Sequence, residues 1–221
     1  MDYQHRFYDQ QPCHLPAAKV VCVGRNYLQH IAELKNEVPT EPVLFIKPNT
    51  ALTAIENPII IAEEACHHEV ELAILIGEKL QKEASVRQIK AAIVGYGIAL
   101  DLTLRDVQHR LKEKGLPWER AKAFDNSCPI SAFIPAEQFE ADPQATSIAL
   151  KINGEYRQNS YTHLMITPIL ALIQNICVTF TLLPGDVILT GTPEGVGALT
   201  PGDSLELELA GSYFFQTQVQ K

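Results

Sequence analysis

Apolar residues in this chain come in short runs broken by proline, glycine and asparagine. Two of the runs are apolar on both faces. Residues 70–76 are interrupted only by Glu71, and residues 91–104 carry Asp101 as their only charge. A run without alternation suits a strand covered on both sides. Shorter strands are predicted at residues 19–24 and 42–47, the second ended by Pro48. Residues 49–66 read as a loop with one strand. Asn153-Gly154, set between two alternating runs, is a two-residue hairpin turn. Pro184-Gly185-Asp186 and Pro201-Gly202-Asp203 are turns that each lead into a strand. The last two strands pair around Ala210-Gly211.

Helices are fewer. The turn Gly24-Arg25-Asn26-Tyr27 leads into a short helix over residues 28–34. Ser85-Val86-Arg87-Gln88 has the form of a capping box and opens a helix to about residue 93. Thr103-Leu104-Arg105-Asp106 resembles the acidic variant of that box. The helix behind it carries Leu104, Val107 and Leu111 on one face and stops near Gly115. Thr167-Pro168 reads as an N-cap followed by proline at the first helical position, with a helix to about residue 176. Residues 1–18 form a polar, proline-punctuated arm, and residues 115–130 look irregular. Strands dominate, and helices are interspersed without βαβ regularity. The expectation is an α+β fold: a mixed β-sheet roll or sandwich with short helices, forming one domain over residues 19–221.

Composition narrows the function. A hydrophobic content of 46% supplies a core, and a formal net charge of −8 argues against a nucleic-acid partner. Five scattered cysteines without a Cys-x-x-Cys pair read as reduced thiols in a cytoplasmic protein. The N-terminus has no apolar signal core. The longest apolar candidate, residues 166–183, is broken by Pro168, Gln174 and Asn175, so no membrane span is expected.

The charges inside the apolar runs carry the candidate chemistry. In a strand, Glu69 and Glu71 share a face, roughly 7 Å apart. Two neighbouring carboxylates repel and lose water when buried. The cost disappears if the pair sits in solvent, if one takes a proton, or if a cation lies between them. Asp101 lies between Leu100 and Leu102 and is either a cap or a third carboxylate of the same site. Its face carries Ala99, Gly97 and Gly95, which leave room for a ligand or another backbone. One hard divalent cation with oxygen ligands, Mg²⁺ or Mn²⁺, accounts for all three carboxylates.

Other residues are less specific. His30 and Glu33 are spaced to meet on one helix, as a water-activating pair or as an ordinary surface pair. Arg105, Gln108 and Lys122 follow Asp101 closely and suit an anionic substrate. Arg110, Lys112 and Lys114 read as a solvated helix face. His67 shares the parity of Glu69 and can support it from behind, while His68 faces the other way. The loop from Gly191 to Gly197 lacks the lysine of a nucleotide loop, although its N–H groups can hold a carboxylate.

Taken together, these segments resemble the fumarylacetoacetate hydrolase family. The matching stretches are Gly24-Arg25-Asn26-Tyr27 with His30 and Glu33, Phe45-Ile46-Lys47-Pro48, and Glu69-Val70-Glu71-Leu72. Asp101 to Asp106, Lys122-Ala123-Phe124-Asp125 and Leu189-Thr190-Gly191-Thr192-Pro193 complete the set. The resemblance implies a Mg²⁺ or Mn²⁺ ion on Glu69, Glu71 and Asp101, and a His30/Glu33 dyad on a mobile lid. It gives Lys122 and Gln108 assisting roles and places Arg25, Arg105 and Thr192 at the substrate. The chain is similar to the short branch of acylpyruvate hydrolases and oxaloacetate decarboxylases. The expected reaction is hydrolysis of the carbon–carbon bond of an acylpyruvate. The alternative is decarboxylation or keto–enol tautomerisation of oxaloacetate at the same chelate. The family also implies a homodimer.

Overall fold

The computed structural model describes residues 3–9, 11–61 and 65–221. The first strands are β1 (Val20–Gly24), β2 (Val43–Lys47), β3 (Leu52–Ala54), β4 (Ile59–Ile60), β5 (Cys66–His68), β6 (Val70–Ile76), β7 (Ile93–Leu100) and β8 (Thr103–Leu104). The second half adds β9 (Cys128–Ile130), β10 (Ile134–Pro135), β11 (Ser147–Ile152), β12 (Glu155–Tyr161), β13 (Val187–Leu189), β14 (Gly197–Ala198), β15 (Ser204–Leu209) and β16 (Tyr213–Gln220). The α-helices are α1 (Leu28–Glu33), α2 (Val86–Ala92), α3 (Arg105–Glu113), α4 (Glu119–Lys122) and α5 (Ile169–Thr179).

An eight-stranded mixed sheet runs β2-β1-β13-β6-β7-β9-β3, with β10 joined to β7 off that path. A five-stranded sheet runs β12-β11-β15-β16-β4, and a three-stranded one runs β14-β5-β8. The fold is therefore α+β, as the pattern of short strands implied. Strand alternation divides β6 between two cores. Val70, Leu72, Ile74 and Ile76 pack with Ile148, Leu150, Leu205 and Leu207 of the five-stranded sheet. Ala73 and Leu75 face the other way, toward Val20, Cys22, Ala99, Cys128 and Ile130. All seven residues of β6 are buried, which is why the run does not alternate. Among the described residues no helix is long and apolar enough to cross a membrane.

Several local signals hold. Ser85 and Gln88 form the reciprocal capping box at the start of α2. Asn153 and Gly154 turn β11 into β12 with φ of 53° and 82°, both in the left-handed region that a tight hairpin needs. No cysteine is in a disulfide.

Others do not hold. Thr103 does not cap α3; its hydroxyl donates to the Asp101 carbonyl at 3.1 Å, and the helix starts after Leu104 without a side-chain cap. Thr167 does not cap α5 either. Pro168 occupies that position, the first helical N–H donates to Gln144 Oε1 at 2.7 Å, and the helix runs on to Thr179. Residues 49–66 hold β3, β4 and the first residue of β5 rather than one strand, and residues 115–130 contain α4 and β9. These short pieces are fixed by partners distant in sequence, as where β3 pairs in parallel with β9.

Candidate active site

The register of one strand pair builds the acidic cluster. Glu71 on β6 lies opposite Ala99 on β7, and Val70 lies opposite Leu100. One step further, at the open end of the pair, Glu69 meets Asp101, and the Asp101 N–H donates to the Glu69 carbonyl at 2.8 Å. All three carboxylates therefore leave the same face, the face of Ala73 and Ala99. The three are buried, and one oxygen of each lies within 4.8 Å of the others. The small residues further along β7 leave no space for a ligand. A side chain at Gly97 would meet Ser131 and Phe133, and one at Gly95 would meet Phe133.

Cations compensate this cluster unevenly. Lys122, buried at the end of α4, donates to Glu69 Oε2 at 2.9 Å and to Asp101 Oδ2 at 2.6 Å. Arg105 donates to Glu69 Oε1 and, through Nη1, to Gln108 Oε1 at 2.8 Å. Burial alone would raise the Glu69 carboxyl, but Lys122, Arg105 and His30 outweigh it and hold it well below the usual carboxylate range. Among the described residues Glu71 forms no ion pair, and Lys122 lowers its carboxyl only in part. Gly191 N–H donates to its Oε2 at 2.6 Å, while burial, Asp101 and Glu69 push its carboxyl well above the usual range. Gly191 adopts φ of 94°, and a Cβ there would lie 2.7 Å from that of Asn26, so glycine is needed for this approach.

Sequence reasoning used Lys47 only as part of a motif and missed its place. The residue is fully buried, and its ammonium lies 2.9 Å from Asp101 Oδ1. It also donates to Ser127 Oγ at 3.0 Å, to the Ser127 carbonyl at 3.1 Å and to the Lys122 carbonyl. Its approach to Asp101 is off-angle, so Oδ1 receives no hydrogen bond. An all-oxygen donor set, a carboxylate without an ion pair and a buried oxygen without a donor fit a hard divalent cation.

His30 is buried on α1, and its Nδ1 lies 3.3 Å from Glu33 Oε2. The other oxygen, Glu33 Oε1, accepts from Gly195 N–H at 3.0 Å, which ties α1 to the glycine-rich loop. Thr192 in that loop donates its hydroxyl to the Val70 carbonyl at 2.9 Å. Gln158 of β12 is a second missed residue. It joins Thr192 Oγ1, Pro193 O, Val70 N and His68 Nδ1 at 2.8–3.0 Å. His67 sits instead in the three-stranded sheet, opposite Thr103, with its Nδ1 buried and unpartnered. Glu69 falls between β5 and β6, so the strand parity that linked it to His67 is interrupted there.

One cavity of about 140 Å³ brings Arg25, His30, Glu69, Glu71, Arg105, Gln108, Lys122 and Thr192 together. Asp101 bonds to Lys122 and Glu33 to His30 of this lining. Lys112, exposed as expected, also lines the cavity, with Asn36 and Trp118. A space of this size is small for a ligand pocket.

The mixed sheets thus carry a buried all-oxygen cluster beside a His30–Glu33 pair, an arrangement suited to an enzyme. Residues 19–220 match the family described as fumarylacetoacetate (FAA) hydrolase C-terminal. The chain belongs to the fumarylacetoacetate hydrolase family. It is 53% identical over 211 residues to oxaloacetate tautomerase YcgM of Escherichia coli K12, covering 95% of this chain and 96% of that protein. A crystal structure of a fumarylacetoacetate hydrolase family protein from Yersinia pestis CO92 superposes with a TM-score of 0.94 at 50% identity, covering 98% and 100% of the two chains. Fumarylpyruvate hydrolase from Pseudomonas aeruginosa, solved with Mn²⁺ and pyruvate, gives 0.90 at 33% identity, covering 97% and 94%.

Proposed function

We propose that the protein interconverts the keto and enol forms of oxaloacetate with Mg²⁺ or Mn²⁺ at Glu69, Glu71 and Asp101. The observation that carries this reading is the His30–Glu33 pair at the wall of the cavity that holds the acidic cluster. The 53% identity to an oxaloacetate tautomerase supports tautomerisation over acylpyruvate hydrolysis, the reaction expected first from the sequence. The bound ion would supply Lewis-acid polarisation of the C2 carbonyl.

The side chains supply the rest. Glu33 accepts from the Nδ1 side of His30, which leaves Nε2 as the base. Nε2 takes a proton from C3 as charge develops on the C2 oxygen. Lys122 and Arg105 line the same cavity and stabilise that charge. Return of the proton to the C2 oxygen gives the enol, and the reverse path gives the ketone. Hydrolysis is the second reading, supported by the fumarylpyruvate hydrolase likeness at 33% identity. It asks the same base to deprotonate water instead.

Oxaloacetate tautomerisation and acetylpyruvate cleavage, assayed side by side with each metal, separate the two. Wild type should tautomerise oxaloacetate and His30→Ala should lose a factor on the order of 10² to 10⁴. Rapid acetylpyruvate cleavage with no effect on enol decay would reverse the order.

A further inference from the structure

The cavity lining holds two cations, Arg25 and Lys112, that the reaction above does not use. Arg105, Gln108 and Lys112 stand at i, i+3 and i+7 on α3, so they share one helix face. All three line the cavity. Arg105 reaches the carboxylates at the bottom, and Lys112 stands about 10 Å further along the axis. Lys112 Nζ donates to Asn36 Oδ1 at 3.0 Å, and Arg25 Nη2 donates to the same oxygen at 3.3 Å. Two cations thus converge on a neutral amide oxygen, a weaker acceptor than a carboxylate. Arg25 holds φ of 59°, an unusual conformation for a residue with a side chain. Its neighbour Asn26 fixes that turn through bonds to Thr190 O at 2.9 Å and Thr167 N at 2.8 Å.

Charge at the bottom of the cavity points the same way. Lys47, Lys122 and Arg105 face three carboxylates, so a divalent ion would leave the cluster doubly positive. Arg25 and Lys112 form no ion pair among the described residues and add to that field. A monoanion would leave this charge partly unmet.

We propose that Lys112, together with Arg25, is a specificity anchor for the outer carboxylate of a dicarboxylic 2-oxo acid. The Asn36 amide oxygen marks where that carboxylate binds. The inference rests on the 2-oxo acid reading above. Because Asn36 follows α1, an acid held there also steadies the helix that carries His30.

L-Malate and L-lactate differ by the outer carboxylate and serve as a matched pair. Their dissociation constants are measured by calorimetry on the Mg²⁺-loaded protein. Wild type should bind malate more tightly. Lys112→Ala should lower the malate-to-lactate preference about tenfold, the scale of one charged hydrogen bond, and Lys112→Arg should restore most of it. An unchanged preference in Lys112→Ala, or no measurable malate binding by wild type, overturns the anchor. Loss of preference in a protein that leaves oxaloacetate untouched would sink the tautomerase reading and keep the anchor. Normal oxaloacetate turnover with an unchanged preference would do the reverse.

Discussion

Glu69 and Glu71 stand two residues apart and shift in opposite directions. Glu69 is held low by Lys122, Arg105 and His30, despite its burial. Glu71 is raised by burial, Asp101 and Glu69. In the unfolded chain both return to about 4.5. The folded state therefore binds the extra proton on Glu71 above that pH, and stability falls as pH rises toward the raised value. Glu69 has the opposite sign: its contribution is lost as pH falls through its depressed range. In EDTA, the stability of wild type should decline relative to Glu71→Gln as pH rises above about 4.5. Parallel curves would mean that Glu71 is already ionised. Metal binding should release protons, measured by calorimetry in two buffers of different ionisation enthalpy. The carboxylates were legible because a charge in an apolar run demands a partner. Lys47 was not, because a lysine at a strand end ordinarily points to water, and only the tertiary fold surrounds it with carbonyls.

Elements set how far these residues can move. The start of β6 and the Thr192 loop come from distant parts of the chain, and Gln158 of β12 bonds to both. Replacing it with leucine leaves Val70 N and Pro193 O buried without those partners, each costing roughly 1–3 kcal/mol. Gln158→Leu should therefore unfold at lower urea and speed hydrogen exchange at the Val70 amide. Wild-type exchange at that amide would show that Gln158 is not what holds the loop. Local chemistry marked the hairpin turns and the Ser85 box because each is completed within a few residues. The expected caps at Thr103 and Thr167 failed because a tertiary partner took over. Thr103 is paired with β5 and bonds back to Asp101, and Gln144 accepts the first helical N–H, that of Ile169. Gln158 carried no signal at all, since a glutamine in an alternating strand reads as a solvent-facing residue.

At the scale of the molecule, the acidic cluster ties the main sheet to the segments around it. Glu69 and Asp101 bind Lys122 of α4 and Lys47 of β2, and Glu71 binds Gly191 beyond β13. A divalent ion that meets the folded cluster but not the unfolded chain adds its binding free energy to folding. At a free concentration about one hundred times the dissociation constant, the gain is roughly 2.7 kcal/mol. Thermal unfolding should thus shift upward between EDTA and excess Mg²⁺ or Mn²⁺. Glu71→Gln is neutral without the proton uptake that a raised carboxyl needs, so in EDTA at neutral pH it should melt at or above wild type. It lacks the charge that the ion needs and should lose most of the shift. If wild type melts at the same temperature in both solutions, the three carboxylates do not form one metal site. A full shift retained in Glu71→Gln would instead confine the ion to Glu69 and Asp101, with Lys122 displaced from between them.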